Sequence, residues 1–372
     1  MDVVIHSTIH VLLALTMPPL VLGVVTKTKA FFAGRVGPPL LQPYYDLIKL
    51  LRKGSVISTT TTWVFLAGPV VGLGTALLAA LLVPFAPDSA PISFSGDLIL
   101  FAYLLGLGRF FTASAALDTG SPFEGMGAAR EVTFACLAEP ALFLGLLVLA
   151  KLSWSGPTGS LQLAGMLGPA LAPHWLDAGA SLALVLLSWF IVLLAENSRV
   201  PFDDPNTHLE LTMIHEVMIL DHSGPELAAL QGAAALKLAV YAGLIASFLN
   251  PVPASVSPVL SAMIAVVLTA LVAIGVGCVE SLIARFAFRK VPLLLTTAFQ
   301  VRFGLLPLKR ISEQLAAIRS GNAERLEGKF PDEIAPLARE ANALLDANRE
   351  IVERARTHVG NLAHAIKTPL SV

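Results

Sequence analysis

The sequence predicts an all-α protein, a polytopic bundle of membrane helices followed by a C-terminal, coiled-coil-like helical segment. Of 372 residues, 55% are hydrophobic and only 14% are charged, and the mean hydropathy is +0.74. Soluble chains carry about a quarter charged residues, so an ordinary soluble domain is excluded. After Arg310 the charge rises and the apolar residues thin to a regular pattern, which sets a tail apart from the membrane part.

Seven apolar runs are long enough to cross a bilayer, which takes about 20 helical residues. The first has no basic region before it and no small-residue cleavage site after it, so we interpret it as a permanent anchor rather than a signal peptide. The runs cover residues 7–25, 64–83, 97–117, 131–151, 179–195, 227–249 and 258–284.

The basic residues of the loops predict the orientation, because Lys and Arg are retained on the cytoplasmic side. The loops at 84–96 and 250–256 contain no basic residue, whereas the first loop contains six: Lys27, Lys29, Arg35, Lys49, Arg52 and Lys53. We therefore expect the N-terminus outside and the tail in the cytoplasm. The apolar run at 291–299 would reach only about 14 Å as a helix, so it is predicted to turn back at the cytoplasmic interface.

Within the first loop, residues 40–53 place Leu47 and Leu50 on one helical face and Asp46 and Lys49 on another. This pattern is typical of a short amphipathic helix lying at the bilayer surface. The lipid bilayer is thus the first predicted partner. Nucleic acid is excluded, because the net charge is −1 and nucleic-acid binding needs a basic patch.

Ionisable residues inside apolar spans are costly and mark candidate functional sites. They occur here with both signs, and two interpretations stay open: static ion pairs, or a proton path in which carboxylates and Lys act as relay stations. The number of helices involved favours the proton path. The residues are Arg109, Glu139, Glu196, Lys237 and Glu280.

The loop after the fifth span carries many acids although the charge pattern places it in the cytoplasm. We interpret it as a surface for docking a partner or for proton entry. His208, His215 and His222 are seven apart and would share a face on a continuous helix, but this is not a zinc spacing and Gly224-Pro225 is expected to end such a helix. No metal site is therefore assigned. The docking candidates are Asp203, Asp204, His208, Glu210, His215 and Glu216.

Apolar positions in the tail recur alternately three and four residues apart, which is a heptad seam. A shorter stripe precedes it at 308–318, and Asn348 on the seam favours two strands in a fixed register. The pattern predicts a homodimer through the tail. The seam consists of Ile334, Leu337, Ala341, Leu344, Asn348, Ile351, Ala355, His358, Leu362 and Ala365.

Two motifs of the membrane part resemble the subunit 1 family of respiratory complex I. They are GRVGPP at 34–39 with LQPYYDLIKL at 41–50, and the segment 196–211 with HEVM at 215–218. Within this family, the residues of the two motifs resemble the branch found in formate hydrogenlyase and related energy-converting hydrogenases more than the quinone-reducing branch. The resemblance covers residues 1–295.

This resemblance implies an eight-helix anchor in a bacterial inner membrane, joining soluble hydrogenase or redox-arm subunits to antiporter-like membrane subunits. Glu139 and Glu196 match membrane-embedded acids of the family. No cofactor is expected in this chain, since the iron-sulfur and nickel-iron centres belong to partner subunits. The expected eighth span is interrupted by Gln300 and Arg302.

The tail resembles a HAMP linker followed by the phosphoacceptor box of a sensor histidine kinase, NLAHAIKTPL at 361–370. This implies His364 as the phosphoacceptor, the alternative being an ordinary solvated histidine, and it implies a response regulator as a further partner. The domains are then 1–298, resembling complex I subunit 1; 299–350, a HAMP-like linker; and 351–372, a truncated histidine-kinase dimerisation and phosphoacceptor helix.

The two resemblances lead to two functions. The favoured one is a membrane anchor and proton-path subunit of a hydrogenase-type, complex-I-like oxidoreductase that carries a histidine-kinase fragment, itself a non-redox subunit. The alternative is a transmembrane sensor histidine kinase of a two-component phosphorelay. Since the sequence ends at Val372 before any Gly-rich nucleotide-binding segment, ATP is expected only from a kinase domain acting in trans.

Overall fold

The computed structural model describes residues 2–85, 90–153, 161–203, 213–252 and 257–283, together with Arg325, Arg339, Asn342, Ala343 and Asp346. The chain divides into two structural units, Met1–Phe299 and Gln300–Val372. Every regular element among the described residues is helical. The all-α prediction is therefore confirmed.

Seven helices of the first unit are long and apolar enough to cross a membrane, which confirms the predicted number of spans. Each overlaps one of the apolar runs. The helices are α1 (Asp2–Phe32), α3 (Trp63–Leu82), α4 (Asp97–Asp118), α5 (Pro122–Leu152), α6 (His174–Glu196), α8 (Gly224–Leu249) and α9 (Pro258–Leu282).

Two predicted boundaries were wrong because hydropathy alone ends a span at the first charged residues. Helix α1 continues through Lys27 and Lys29 to Phe32. Helix α5 begins at Pro122, nine residues before the predicted start at 131, and its first turns contain Glu124 and Arg130. Proline is favoured at a helix start because its missing N–H would be unpaired there anyway. Charged residues of the first turns thus lie within the helix.

Two shorter helices complete the described elements between spans, beside two 3₁₀ turns at Ala164–Met166 and Gly168–Leu171. The predicted amphipathic helix of the first loop is confirmed as α2 (Gln42–Leu51). The second short helix is α7 (His215–Met218). Because α7 ends at Met218, the continuous helix proposed to align His215 with His222 does not form, and Gly224-Pro225 begins α8 rather than ending a helix.

Helix α8 lies at the centre of the first unit. In its most apolar window 72% of the residues are buried within the protein, against 33–44% for the other six spans. It packs against α1, α2, α3, α6 and α9. A charged residue on α8 can therefore meet charges from several helices at once.

Small residues allow the helices to approach closely, as is common in membrane bundles. The indole of Trp189 lies over Gly145 where α6 crosses α5, and Phe85 lies over Gly243 of α8. A Cβ atom at either glycine would overlap the aromatic ring. The Trp189 Nε1–H also donates to the Leu142 carbonyl at 3.3 Å, so the indole is fixed against α5.

In the second unit, Arg339, Asn342, Ala343 and Asp346 are helical. The exposed Arg325 guanidinium pairs with the Asp346 carboxylate at 2.7 Å. The run at 291–299, the seam residues and His364 lie outside the described residues. The predicted homodimer and the three-part division of the chain stay predictions.

The glycine contact between α5 and α6 is testable. Gly145→Ala should lower the thermal unfolding temperature of the detergent-solubilised chain by several degrees, because overpacking of this kind costs about 1–3 kcal/mol. Gly106→Ala on α4 is the matched control, since no atom from another part of the described chain lies within 4 Å of its Cβ position. It should keep or slightly raise the unfolding temperature, because Ala favours a helix over Gly. Equal effects of the two substitutions would contradict the packing described.

Candidate functional site

Four helices bring charged side chains together in the interior of the first unit. The Arg109 guanidinium of α4 contacts carboxylates of Glu139 on α5 and Glu196 at the end of α6. Its Nε lies 3.5 Å from Glu131 of α5. Lys237 of α8 approaches Glu196 at 3.0 Å and Glu131 at 3.8 Å. We call these five residues the charged cluster.

Glu196 is the most enclosed carboxylate of the charged cluster, with a side chain only 2% exposed. It lies between two cations, Arg109 and Lys237. The buried Tyr241 hydroxyl lies nearby but has no hydrogen-bond partner among the described residues. Lys237 and Tyr241 are four residues apart on α8, so they lie on the same helix face. These contacts offset part of the cost of burying an ionised carboxylate.

Glu139 is held less firmly. It contacts one cation of the charged cluster, Arg109, whereas Glu131 and Glu196 each contact two. Its side chain is also 26% exposed, against 2% for Glu196. Glu139 is therefore the carboxylate of the cluster with the fewest ion pairs and the greatest exposure.

The formal charges of the charged cluster do not balance, because three carboxylates face two cations. If all five groups are ionised, the cluster carries one negative charge. One added proton neutralises it. A group of this composition can take up and release a proton without ever burying more than one net charge, which is the electrostatic requirement of a relay station within a membrane.

A cavity of about 380 Å³ lies beside the charged cluster. Its wall includes Arg109, Glu131, Glu196 and Lys237. The cavity also reaches Asp203 and His215 at the ends of the loop after α6, and Pro43 and Leu47 of α2. Most of the wall is apolar, but the charged and polar side chains in it give water molecules hydrogen-bond partners in a space of this volume. The cavity therefore extends from the charged cluster to that loop.

Glu280, predicted to belong to the same path, lies in a second ion-pair group. Its carboxylate, 2% exposed, pairs with Lys29 of α1 at 2.8 Å and with Arg199 after α6 at 3.4 Å. Within the described residues no ion pair links this group to the charged cluster. Glu280 therefore joins α1, α9 and the start of the loop that follows α6.

The predicted docking residues lie in different environments in the structure. Asp203 is 1% exposed, and its carboxylate accepts hydrogen bonds from the backbone N–H groups of Ile214 at 3.0 Å and His215 at 3.4 Å. The Asp203 carboxylate therefore holds the chain on the two sides of residues 204–212 together, and its part in docking a partner stays a prediction. Asp204, His208 and Glu210 lie outside the described residues.

His215 and Glu216 line the cavity rather than an outer surface. The Nε2 atom of His215 is buried with no hydrogen-bond partner among the described residues, and burial lowers the pKa of this imidazole. In the part of the chain that is described, no three His, Cys, Asp or Glu side chains are placed to hold a metal ion.

His222 faces away from this cavity and packs on α3. Its ring stacks on Phe65 with centroids 3.9 Å apart, and burial lowers its pKa to about 4. The neighbouring Asp221 N–H donates to the buried Glu124 carboxylate at 3.0 Å. These contacts anchor the chain between α7 and α8.

Two residues of the site were missed from the sequence. Glu131 was taken as the edge of a span, although α5 begins nine residues earlier and places it inside the helix. Tyr241 carries no charge at neutral pH and was not considered. Its position four residues after Lys237 was the signal that could have identified it.

Comparison with known proteins assigns the membrane part of the chain to a family. The model of the NADH dehydrogenase family matches residues 5–306. The chain belongs to this family. This confirms the resemblance to the complex I subunit 1 family.

Two relatives are named as parts of larger complexes. Hydrogenase-4 component C of Escherichia coli (strain K12) is 34% identical over 248 residues, which are 67% of this chain and 76% of that protein. Formate hydrogenlyase subunit 4 of the same organism is 34% identical over 235 residues, 63% of this chain and 73% of that protein.

A solved structure shares the fold. A chain of the membrane-bound sulfane sulfur reductase, an archaeal respiratory membrane complex, superposes with a TM-score of 0.62 at 21% identity. The match covers 79% of this chain and 95% of that one.

The tail matches a different group of proteins. A PhoQ-like HAMP domain model matches residues 305–350. The sensor protein kinase CarS of Pseudomonas aeruginosa is 39% identical over 79 residues, which are 21% of this chain and 18% of that protein. The resemblance of the tail to sensor kinases is therefore confirmed.

The environment of His222 predicts that the stability of the folded chain depends on pH. Because its pKa of about 4 in the folded chain lies below the ordinary value of 6.5, folding favours the neutral imidazole. The associated stability is fully present above about pH 6.5 and decreases as the pH falls toward about 4. His222→Phe keeps a ring against Phe65 and should remove this part of the loss, as measured by unfolding temperature against pH. Identical pH profiles for the two proteins would contradict the assignment.

Proposed function

We propose that the chain is the membrane subunit of a hydrogenase-type, complex-I-like oxidoreductase, and that its charged cluster is part of the proton path. The observation that carries this proposal is the cluster itself, in which two cations hold three carboxylates from four helices. All of its members except Glu139 border a cavity of about 380 Å³. The family match and the names of the relatives, hydrogenase-4 and formate hydrogenlyase, supply the class of complex.

The contacts support a sequence of proton positions. A proton enters from the loop side of the cavity and reaches Glu196, where Lys237 lies between Glu196 and Glu131. From Glu131 it passes to Glu139, about two helical turns further along α5, and the Arg109 guanidinium contacts both carboxylates. Arg109 contacts all three carboxylates and does not itself lose its proton. Its role is to hold them together.

The same proposal assigns the partners. Soluble hydrogenase or redox-arm subunits dock on the loop 204–212, whose ends Asp203 fixes. Antiporter-like subunits pack on the side of the bundle within the membrane. The iron-sulfur and nickel-iron centres belong to the soluble partners. The proposal puts the N-terminus outside and the tail in the cytoplasm of a bacterial plasma membrane, and the basic residues of the first loop support this orientation.

The proton path is tested by Glu139→Gln in the assembled complex. Gln keeps the shape and still accepts a hydrogen bond from Arg109, but it cannot carry a proton. Membrane insertion and assembly should be unchanged, while the rate of proton translocation in sealed vesicles should fall about 100-fold, the lower end of the range for a lost proton-transfer group.

Glu280→Gln is the matched control, because Glu280 is also a buried carboxylate held by two cations but lies in the second ion-pair group. It should leave translocation close to the wild-type value. Normal translocation with Gln at 139, or an equal loss with Gln at 280, would contradict the proposed path.

A second candidate function rests on the tail, whose HAMP match and likeness to CarS favour signalling by phosphotransfer. In this reaction an imidazole nitrogen of His364 attacks the γ-phosphorus of ATP, the P–O bond to the β-phosphate breaks, and ADP leaves. The ATP is held by a kinase domain acting in trans, and a response regulator receives the phosphoryl group. Dimerisation through the heptad seam brings the two tails together.

His364 phosphorylation is tested by incubating the full chain with radiolabelled ATP and the ATP-binding domain of CarS. Acid-labile label should appear on the wild type and on His358→Gln, a matched control on the same predicted helix, but should be absent from His364→Gln. An unlabelled wild-type chain, or label that persists without His364, would contradict this function.

A further inference from the structure

Helix α2 has an exposed side that the proton path does not use. No residue of α2 is buried, although the helix packs against α1 and α8. Its outward side carries large apolar residues that are 47–60% exposed: Leu41, Tyr45, Ile48 and Leu51. Exposing a row of large apolar side chains to water is unfavourable. This side of α2 is therefore expected to contact something other than water.

Three bases adjoin these apolar residues. Lys49, Arg52 and Lys53 are all exposed, and among the described residues none of them forms an ion pair. The one acid of α2, Asp46, instead accepts a hydrogen bond from Gln42 at 2.9 Å. We call Lys49, Arg52 and Lys53 the α2 basic patch. Its positive charge is not compensated by a described carboxylate.

Two close backbone contacts at glycines show how deep α2 lies relative to the membrane-spanning helices. The backbone before α2 crosses α1 at Gly23, where the Leu40 carbonyl occupies the space of a side chain. The backbone after α2, at Lys53 and Gly54, lies against Gly224, the first residue of α8. The basic end of α2 therefore lies level with the beginning of a membrane span, which is the depth of the lipid headgroups.

Trp63 marks the same depth independently. It is the first residue of the spanning helix α3 and is 71% exposed. Tryptophan is enriched at the membrane interface, where its ring is apolar and its N–H reaches water. The level of α2 therefore combines an apolar row, exposed bases and an interfacial tryptophan. This combination fits the surface of a bilayer better than it fits an acidic protein, because binding an acidic protein would not require the apolar row.

We propose that the α2 basic patch binds anionic phospholipid headgroups, with Tyr45 and Ile48 inserted among the upper acyl chains. The occupant is a lipid carrying net negative charge, such as phosphatidylglycerol, in preference to a zwitterionic lipid. Because α2 also borders the cavity beside the charged cluster through Pro43 and Leu47, the lipid fixes one wall of that cavity. The binding itself does not depend on the proton path.

The experiment is lipid competition on the purified full chain. The chain is placed in nanodiscs containing equal amounts of phosphatidylglycerol and phosphatidylcholine, and the lipids that stay bound are counted by native mass spectrometry. The wild type should retain phosphatidylglycerol preferentially. The triple variant Lys49→Gln, Arg52→Gln, Lys53→Gln should lose this preference by on the order of tenfold, since each base near an anionic surface contributes substantially, and added salt should weaken the wild-type preference.

Two control variants test whether lipid preference depends on the positive charge of the α2 basic patch and on its location. Lys49→Arg with Lys53→Arg keeps the charge and should keep the preference. Lys151→Gln removes a base at the end of α5, which lies at the opposite membrane face, and should also keep it. Circular dichroism checks that the triple variant retains the wild-type helix content.

Two results would overturn the proposal. The first is equal retention of the two lipids by the wild type. The second is a triple variant that keeps the preference for phosphatidylglycerol. If this triple variant, expressed in its native complex, also loses co-purifying protein subunits, the patch binds an acidic protein partner instead.

Discussion

The membrane domain depends on one buried cation, the Arg109 guanidinium of α4. A charged side chain within the hydrocarbon layer is costly unless it is paired and hydrogen-bonded. Arg109 meets this requirement only because α5 supplies Glu131 and Glu139 and α6 ends at Glu196. Lys237 on the central helix α8 completes the group. The relative positions of four helices are thus coupled to one set of charges.

The same charges give the cluster its chemical character. Two cations hold three carboxylates, so a single proton changes the net charge between −1 and zero, and the group stays close to neutrality in both states. The second group, Glu280 with Lys29 and Arg199, has two cations for one carboxylate and joins helices instead. The two groups of buried ion pairs therefore differ in stoichiometry, although Arg199 of the second group also lines the cavity beside the charged cluster.

Hydropathy and charge bias predicted all seven spans, the short helix α2 and four of the five cluster residues, because each depends on local composition. The sequence did not reveal which charges meet. Glu131 was missed because a hydropathy boundary stops at the first charged turn. Asp203 was expected on the surface, as loop acids commonly are, whereas its carboxylate is buried by accepting the N–H groups of Ile214 and His215. Pairings of this kind arise from tertiary contacts between distant segments.

The central claim, that a carboxylate of the charged cluster changes its protonation state as electrons move through the complex, can be measured directly. Redox-induced infrared difference spectra of the complex in bilayers should contain a carboxylic acid C=O band that shifts in D₂O and disappears in Glu139→Gln. The Glu280→Gln variant should keep this band. If the wild-type spectrum contains no such band, or if the band is unchanged in Glu139→Gln, the cluster is a static set of ion pairs and the account is wrong.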